Sequence, residues 1–375
     1  MSAGAPTAGA PTAGPVGDVM YVSSNGVGMG HLTRLMAMAR RRSPGVRPYV
    51  VSMSRAVPLV ADEGLDYEYI PSRDDLGIGA RRWRMMFVER FAEVLLRERP
   101  DVVVFDGVHP YEGLLASRSV LPDVRLVWSR RAMWRPGLGH RQLSTSGVFD
   151  LVIEPGELAQ TLDVGATAGR TDALRVGPVT LLDDSDLMPR EEAAAALGVD
   201  PDRPTALVTL GVGALNDVES DLGRVVQGLA SVPGLQVVVT RPAIALADAG
   251  LPEAVHAVTL YPISRYLRAV DLAVAAAGYN SFHELAGCGV PTAFVANTAT
   301  GMDDQEARAR WAEQAGVGID VPVLDAAGVQ RVVDELGDSR RRAAMTSALS
   351  AARRPNGAAA AQAAVEGLLT GPVSA

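Results

Sequence analysis

The segment AAGYNSFHELAGCGVP, residues 276–291, decides the fold of this chain. It follows the apolar run DLAVA (271–275), which is typical of a buried strand. Gly278 breaks that strand, and the polar residues Asn280 and Ser281 open a helical pattern. In open α/β sheets, ligands bind beyond the carboxyl ends of the strands. The segment therefore predicts a strand, turn and helix with a binding site at the turn.

Outward from this segment, short apolar runs alternate with helical patterns along the whole chain. Most of the runs are apolar on both faces, as strands of a covered parallel sheet must be. The expected strands lie in 18–24, 48–54, 101–107, 124–129, 149–155, 205–211, 235–241, 256–260, 271–277 and 291–297, and the clearest helical patterns are 31–42, 85–98, 217–231 and 304–315. This rhythm predicts an α/β protein.

The rhythm breaks once, in the acidic, turn-rich stretch after residue 178. We expect a disordered tail (1–16), a Rossmann-like domain (17–178), a linker (179–204), a second Rossmann-like domain (205–350) and a C-terminal helix and tail (351–375) that packs back on the first half. The alternative is a long loop within a single domain.

The composition excludes several classes of protein. The chain of 375 residues has a net charge of −8 and no lysine, which argues against a nucleic-acid binder. Its single cysteine, Cys288, rules out an internal disulfide, and its five histidines lack metal-binding spacing, so we expect neither a metal nor a cofactor. The start of the chain has no signal-peptide pattern, and no apolar run reaches membrane-spanning length, so a cytoplasmic protein is expected.

Two glycine-rich loops follow predicted strands, one in each half. Gly28 and Gly30 precede His31, which opens a helix, and Gly211, Gly213 and Ala214 follow the strand at 205–210. Glycines let the backbone approach a ligand, and the N–H groups at a helix start favour anions. A tight strand-to-helix turn explains each loop as well. In a two-domain protein the two loops would face each other across a cleft.

Glu284 has two interpretations. Ser281-x-x-Glu284 fits a capping box, in which the hydroxyl and the carboxylate each accept a hydrogen bond from a backbone amide. Alternatively, Asn280, Ser281 and the free helix-start amides hold a diphosphate, while Glu284 accepts two hydrogen bonds from the ribose hydroxyls. The sequence leaves both open.

The motif Gly278-Tyr279-Asn280-Ser281-x-x-Glu284, followed by Gly289-x-Pro291 and Asp304-Gln305, resembles the donor motif of GT-B nucleotide-sugar glycosyltransferases of families 28 and 1. The loop GVGMGH (26–31) is similar to the glycine loop of family 28, and the resemblance runs from Asp18 to about Leu369. It implies a GT-B fold: two Rossmann-like domains facing across a cleft, the first binding the acceptor and the second the donor.

The resemblance also implies site residues. The diphosphate would contact 278–281 and 211–214, the nucleotide base would lie at Ile263, the ribose on Glu284 and the sugar on Asp304 and Gln305. The implied donor residues are Gly211, Gly213, Ala214, Ile263, Gly278, Asn280, Ser281, Glu284, Asp304 and Gln305. The chain departs from the plant pattern at Ala276, where that family has a phosphate-binding histidine, and from the family 28 pattern at Asp304, where histidine is common.

The implied reaction is inverting transfer of a sugar from a uridine or thymidine diphosphate to an acceptor hydroxyl. His31 is the expected base because its ordinary pKa lies near the operating pH, and Asp106, which ends a predicted strand, would orient it. Arg241 is a candidate for stabilising the leaving diphosphate. His109 is a competing base or an acceptor ligand. The candidate acceptor residues are Gly28, Gly30, His109, Arg130 and Trp134.

The sequence does not decide what the acceptor is or whether the protein contacts a membrane. Residues 79–91 mix arginines with bulky apolar side chains, as a surface on anionic lipid does, but Phe87, Phe91, Val94 and Leu95 also have the spacing of an ordinary core face. A small-molecule acceptor fits as well as a lipid-linked one. The alternative functions are a nucleotide-sugar hydrolase or epimerase of the same fold, and a non-catalytic partner subunit.

Overall fold

The computed structural model describes residues 16–24, 28–211, 218–240, 255–298 and 301–370. The strands are β1 (Gly17–Ser23), β2 (Val46–Ser52), β3 (Asp66–Tyr69), β4 (Val102–Asp106), β5 (Arg125–Ser129), β6 (Leu151–Glu154), β7 (Leu174–Arg175), β8 (Thr205–Thr209), β9 (Gln236–Thr240), β10 (Val255–Val258), β11 (Leu272–Ala276), β12 (Thr292–Val295) and β13 (Gly318–Asp320).

The α-helices are α1 (Gly30–Ala39), α2 (Arg73–Leu76), α3 (Ala80–Glu98), α4 (Glu112–Leu115), α5 (Ser117–Val120), α6 (His140–Leu143), α7 (Arg190–Leu197), α8 (Val218–Ala230), α9 (Tyr279–Gly287), α10 (Gln305–Gln314), α11 (Ala326–Gly337), α12 (Ser339–Ala352) and α13 (Ala358–Thr370). Short 3-10 helices cover Val57–Glu63, Ser146–Val148, Gln160–Leu162, Asp184–Asp186 and Ile263–Ala269.

The strands form two parallel sheets. The first has the order β3-β2-β1-β4-β5-β6-β7 and the second the order β10-β9-β8-β11-β12-β13, so both use the same crossover pattern. We call the sheet from β1 to β7 with its helices the first lobe, and the sheet from β8 to β13 with its helices the second lobe. Central strands such as β4 are buried along their whole length because helices cover both faces. The predicted α/β class with two Rossmann-like domains is confirmed.

The predicted domain limits can be compared with the elements. The tail at 1–15 lies outside the described residues, β1 to β7 fall within 17–178, and β8 to β13 fall within 205–350. Within the predicted linker, α7 buries Ala193, Ala194 and Leu197 in the core of the second lobe. Part of that linker therefore packs as a helix of the second lobe.

The last helix packs on the first lobe, as the sequence led us to expect. The Tyr21 hydroxyl of β1 donates to Gln362 Oε1 at 2.8 Å, and Glu366 accepts from the backbone N–H of Ser43 at 2.8 Å. Ala358, Ala361 and Val365 of α13 lie in the core cluster below β1 and α1. The chain therefore crosses between the lobes twice, once near 178–187 and again near 353–357.

Candidate active site

The carboxyl ends of β1, β4 and β5 meet at Asp106, the last residue of β4. Its fully buried carboxylate accepts hydrogen bonds from His31 Nδ1 at 2.6 Å, Arg34 Nε at 3.0 Å and Ser129 Oγ at 2.7 Å. Arg34 Nη2 donates to the same carboxylate. The structure thus brings together His31 and Asp106, and it adds Arg34, which the sequence did not single out.

The protonation of this cluster follows from its charges. Burial would raise the pKa of Asp106, but Arg34 and His31 hold it well below its usual value. An ionised carboxylate only accepts hydrogen bonds, so His31 Nδ1 carries the hydrogen and Nε2 keeps a free lone pair. Burial lowers the pKa of His31; Asp106 opposes this, and Arg34 and Arg131 add to it. His31 is therefore neutral near pH 7 and is suited to accept a proton.

The start of α9 lies against this cluster from the second lobe. Gly278 is the N-cap, and the first helical hydrogen bond runs from Phe282 N to Gly278 O, which leaves the N–H groups of residues 279–281 for a ligand. Asn280 Nδ2 donates to Gly30 O at 3.3 Å, and Arg34 Nη1 donates to Asn280 Oδ1 at 3.2 Å. The start of α9 and the helix α1 of the first lobe are therefore in direct contact.

Glu284 does not form a capping box. Because α9 begins at Tyr279, Ser281 lies inside the helix and caps nothing, so the capping interpretation of Glu284 is wrong. The Glu284 carboxylate has no hydrogen-bond or ion-pair partner among the described residues, and burial raises its pKa to about 7. A half-buried carboxylate without a partner is costly to the fold, so its retention points to a ligand.

A cavity of about 510 Å³ runs along α9 beside Glu284. Its lining also includes Thr180, Asn356 and Ser264, and it extends to both segments by which the chain crosses between the lobes. The Ser264 hydroxyl is buried and has no hydrogen-bond partner among the described residues. The cavity therefore offers two unpaired polar groups, Glu284 on α9 and Ser264 beside Ile263. Ile263 is the residue expected to lie near the base of the nucleotide.

The other donor candidates lie at the ends of neighbouring elements of the second lobe. The side chain of Gln305 is buried; its Oε1 accepts from Asn297 N at 3.0 Å, and its Nε2 lies 3.8 Å from where a Cβ on Gly278 would be. Asp304 is the N-cap of α10 and accepts from Ala307 N at 3.0 Å. Gly211 lies two residues beyond the end of β8 and has φ +80°, a conformation that favours glycine.

Part of the chain matches a known family. Residues 244–362 match the model of the glycosyltransferase family 28 C-terminal domain, a stretch that includes β11, α9 and α10.

The chain is similar to two bacterial proteins named UDP-N-acetylglucosamine–N-acetylmuramyl-(pentapeptide) pyrophosphoryl-undecaprenol N-acetylglucosamine transferase. The one from Clavibacter sepedonicus is 28% identical over 358 residues, covering 91% of this chain and 94% of that protein. The one from Nocardioides sp. is 36% identical over 172 residues, 43% of this chain and 46% of that protein. The solved glycotransferase of kitacinnamycin has a TM-score of 0.64 at 16% identity, covering 94% of this chain and 99% of that one.

The chain is a glycosyltransferase with the GT-B fold, and it is similar to family 28.

In this glycosyltransferase, two of the expected acceptor residues are buried inside the first lobe. Arg130 is fully buried, with its guanidinium paired to Asp172 at 3.0 Å and to Glu154 at 3.5 Å. Trp134 is 3% exposed and packs in the core with Trp128. The structure points against direct contact of either side chain with an acceptor, because neither faces open space.

The remaining acceptor candidates are accessible. His109 follows β4 and is exposed; burial of part of its ring and nearby Arg141 lower its pKa. Gly28 is half-buried with open space at its Cβ position, and Gly30 begins α1. Gly213, Ala214 and Arg241 of the donor set lie outside the described residues.

Buried charges join the two lobes of the glycosyltransferase behind α9. Arg308 of α10 is fully buried and donates to Glu157 at 2.7 Å and to Asp303 at 2.7 Å, and Arg131 donates to Asp303 at 3.0 Å. The guanidiniums of Arg34, Arg131 and Arg308 lie 5.2 to 5.8 Å from the ring centre of Tyr279. The sequence did not reveal this seam, because nothing in a sequence pairs arginines and acids that are far apart along the chain.

Within the described ranges, no group of three or more His, Cys, Asp or Glu side chains is arranged to hold a metal ion. Over the same ranges, every helix is too short or too polar to cross a bilayer.

Proposed function

We propose that the chain is an inverting glycosyltransferase that moves a sugar from a uridine or thymidine diphosphate to an acceptor hydroxyl in the cytoplasm. The observation that carries the proposal is the unpaired Glu284 carboxylate, which lies one turn beyond the start of α9 and lines a cavity. A carboxylate accepts two hydrogen bonds and a vicinal diol donates two, so Glu284 suits a ribose.

The donor would lie along α9. Its diphosphate would accept hydrogen bonds from the N–H groups of residues 279–281, where the helix dipole also favours negative charge. Its ribose hydroxyls would donate hydrogen bonds to Glu284. Its nucleotide base would enter the cavity near Ile263, where the unpaired Ser264 hydroxyl offers a polar contact. The sugar would then point past Gln305 toward His31. Arg241, Gly213 and Ala214 stay proposed members of this site.

The chemistry needs a base and a stabilised leaving group. Nε2 of His31 accepts the proton of the acceptor hydroxyl, whose oxygen attacks the anomeric carbon on the face opposite the diphosphate. The bond from that carbon to the phosphate oxygen breaks, and the nucleoside diphosphate leaves with the electron pair, stabilised by the helix-start amides. Asp106, ionised and buried, stabilises the imidazolium that forms.

Two acceptor classes are consistent with the proposal. The relatives named above transfer N-acetylglucosamine to a lipid-linked pyrophosphoryl sugar, which favours a lipid-linked acceptor here. A small natural product with a free hydroxyl is the other candidate. Gly28, Gly30 and His109 are the accessible first-lobe residues that would line this side of the cleft.

A thermal-shift screen tests the donor assignment. The protein is heated with uridine and thymidine diphosphates and their sugars, and a ligand that binds only the folded state stabilises it by about 2.7 kcal/mol at one hundred times its Kd. We expect a clear rise in Tm with one of the two nucleotides. Adenosine and guanosine diphosphates are the matched controls, and equal or absent shifts with all four would refute the donor site. Release of free sugar without acceptor would favour the hydrolase alternative.

The surface of α3 supports a second, separate proposal of peripheral membrane contact through residues 79–91. The apolar spacing of α3 is that of a core face, since Trp83, Phe87 and Phe91 are buried. The opposite face exposes Arg81, Arg82 and Met85, the last with 64% of its surface accessible. A basic face with a protruding methionine suits an anionic bilayer surface.

Replacing Arg81 and Arg82 with glutamate is expected to weaken binding to vesicles that contain anionic lipid. Each basic residue near such a surface contributes about 1 kcal/mol, so sedimentation with vesicles of phosphatidylglycerol and phosphatidylcholine should show a loss of about tenfold or more. The exposed pair Arg340 and Arg341 on α12, changed in the same way, is the matched control. Equal binding by both variants would argue against contact through α3.

A further inference from the structure

We propose that Arg34 is a positioning residue for the base: it holds the Asp106 carboxylate in place, keeps His31 uncharged near neutral pH, and links both to the start of α9 through Asn280. The inference rests on the proposed function in one respect, since His31 acts as the base only if the chain transfers sugar. The arrangement of charges itself can be tested without any substrate.

Contacts on three sides fix Arg34. Its side chain is 2% exposed, although a guanidinium is normally at the surface. Nε donates to Asp106 Oδ2 at 3.0 Å, Nη2 donates to Oδ1, and Nη1 donates to Asn280 Oδ1 at 3.2 Å. Two parallel hydrogen bonds to one carboxylate form the bidentate geometry that arginine provides and lysine does not. The orientation of Asp106 is therefore set by Arg34 as well as by Ser129.

The charges around His31 come from three elements. Asp106 faces it from β4, Arg34 lies on the same helix with Nη2 2.9 Å from His31 Nδ1, and Arg131 approaches from the segment after β5. An unshielded carboxylate at this distance would favour the imidazolium, which cannot accept a proton. Arg34 cancels that effect because its charge lies beside both groups. It thus lets Asp106 orient the ring without charging it.

Arg34 also connects the two lobes. Asn280 receives the hydrogen bond from Arg34 while its Nδ2 donates to Gly30 O, and its own N–H belongs to the amides proposed for the diphosphate. The guanidinium therefore contacts Asp106, which binds His31 in the first lobe. It also contacts Asn280, whose N–H belongs to the proposed anion site in the second lobe. A shift of α9 relative to α1 would act on the base through this side chain.

Histidine titration by nuclear magnetic resonance tests the proposal directly. The protein without ligand carries isotope-labelled histidines, and the His31 signal is assigned by its loss in His31→Gln. In Arg34→Gln we expect the His31 titration midpoint to rise by about one pH unit or more, since a positive charge is lost and Asp106 is no longer neutralised. Arg34→Lys should stay near the parent value. Arg224→Gln on α8, an exposed arginine, is the control for charge removal in general.

A second comparison covers the case in which Arg34→Gln does not fold because Asp106 is left buried and unpaired. Asp106→Asn keeps the positive charge beside His31, and Arg34→Gln/Asp106→Asn removes both members of the pair. The His31 midpoint should be higher in the double variant than in Asp106→Asn by about one pH unit. Equal midpoints would overturn the proposal. A failed nucleotide screen together with the expected midpoints would instead refute the donor site alone.

Discussion

His31→Ala is expected to lower kcat by about 10²–10⁴-fold, the range that a general base contributes. The reason is geometric: His31 Nδ1 is engaged by Asp106 at 2.6 Å, which leaves the lone pair of Nε2 free to accept a proton. The measurement is release of nucleoside diphosphate from the donor in the presence of acceptor. Nucleotide affinity measured by calorimetry should be unchanged within about twofold, because His31 belongs to the other lobe.

The pH profile gives an independent check on His31. Its pKa is lowered from the ordinary value of about 6.5, so the base is neutral at pH 7 and becomes protonated only at lower pH. The rate should therefore stay constant from about pH 8 down to pH 6.5 and fall below that. His140→Ala, at an exposed position on α6, is the matched control. Full activity in His31→Ala with loss in His109→Ala would move the base to His109.

Glu284→Gln is expected to weaken nucleotide binding while making the protein more stable. A hydrogen bond to a charged group contributes about 1.5–3 kcal/mol, and loss of one or more such bonds to the ribose lowers affinity by about 10- to 150-fold. In the protein without ligand, however, burial raises the pKa of Glu284 to about 7, so the ionised carboxylate destabilises the folded state. Glutamine removes that cost.

The stability gain has a defined pH dependence. The pKa of Glu284 is about 7 in the folded state against 4.5 in the unfolded state, so the folded state binds the extra proton between these values. The parent protein therefore loses stability as pH rises from about 5 to 8, by up to about 3 kcal/mol, and the glutamine variant does not. Its advantage in Tm should be largest at pH 8 and nearly absent at pH 5.

Two measurements decide between the roles of Glu284. Calorimetry with uridine and thymidine diphosphate gives the affinity, and differential scanning at pH 5 and pH 8 gives the stability. Glu192→Gln, at an exposed position on α7, should change neither quantity. Unchanged nucleotide affinity in Glu284→Gln would remove the ribose role even if the stability gain appeared.

The sequence predicted the elements whose apolar pattern is unambiguous. The buried runs at β1, β4, β8 and β11 could be placed because parallel strands covered on both faces read as continuous apolar stretches. Edge strands gave no such signal: β3 (sequence DYEY) is largely polar, and β7 has two exposed residues. The sequence therefore did not reveal either edge strand of the first sheet.

The candidate site was predictable where one strand end and one helix start meet. His31 and Asp106 were found because Asp106 ends a strand and His31 comes shortly after one, and the carboxyl ends of parallel strands lie at one edge of the sheet. Arg34 was missed because an arginine one turn into a helix usually lies in solvent. Trp134 and Arg130 were expected to line the acceptor pocket because their stretch is rich in arginine and tryptophan. Arg130 instead lies inside the lobe, where Asp172 and Glu154 neutralise its charge.

The path of the chain through α13 bears on what each half can do alone. The core of the first lobe is completed by α13, residues 358–370, which follow the whole second lobe in sequence. A fragment that ends at residue 178 would lack the cover of β1 and α1 and would present apolar surface to water, and a fragment that starts at 205 would carry an unpartnered amphipathic tail. Neither half is a self-sufficient module, so exchange of one lobe between related enzymes must carry the final helix along with the first lobe.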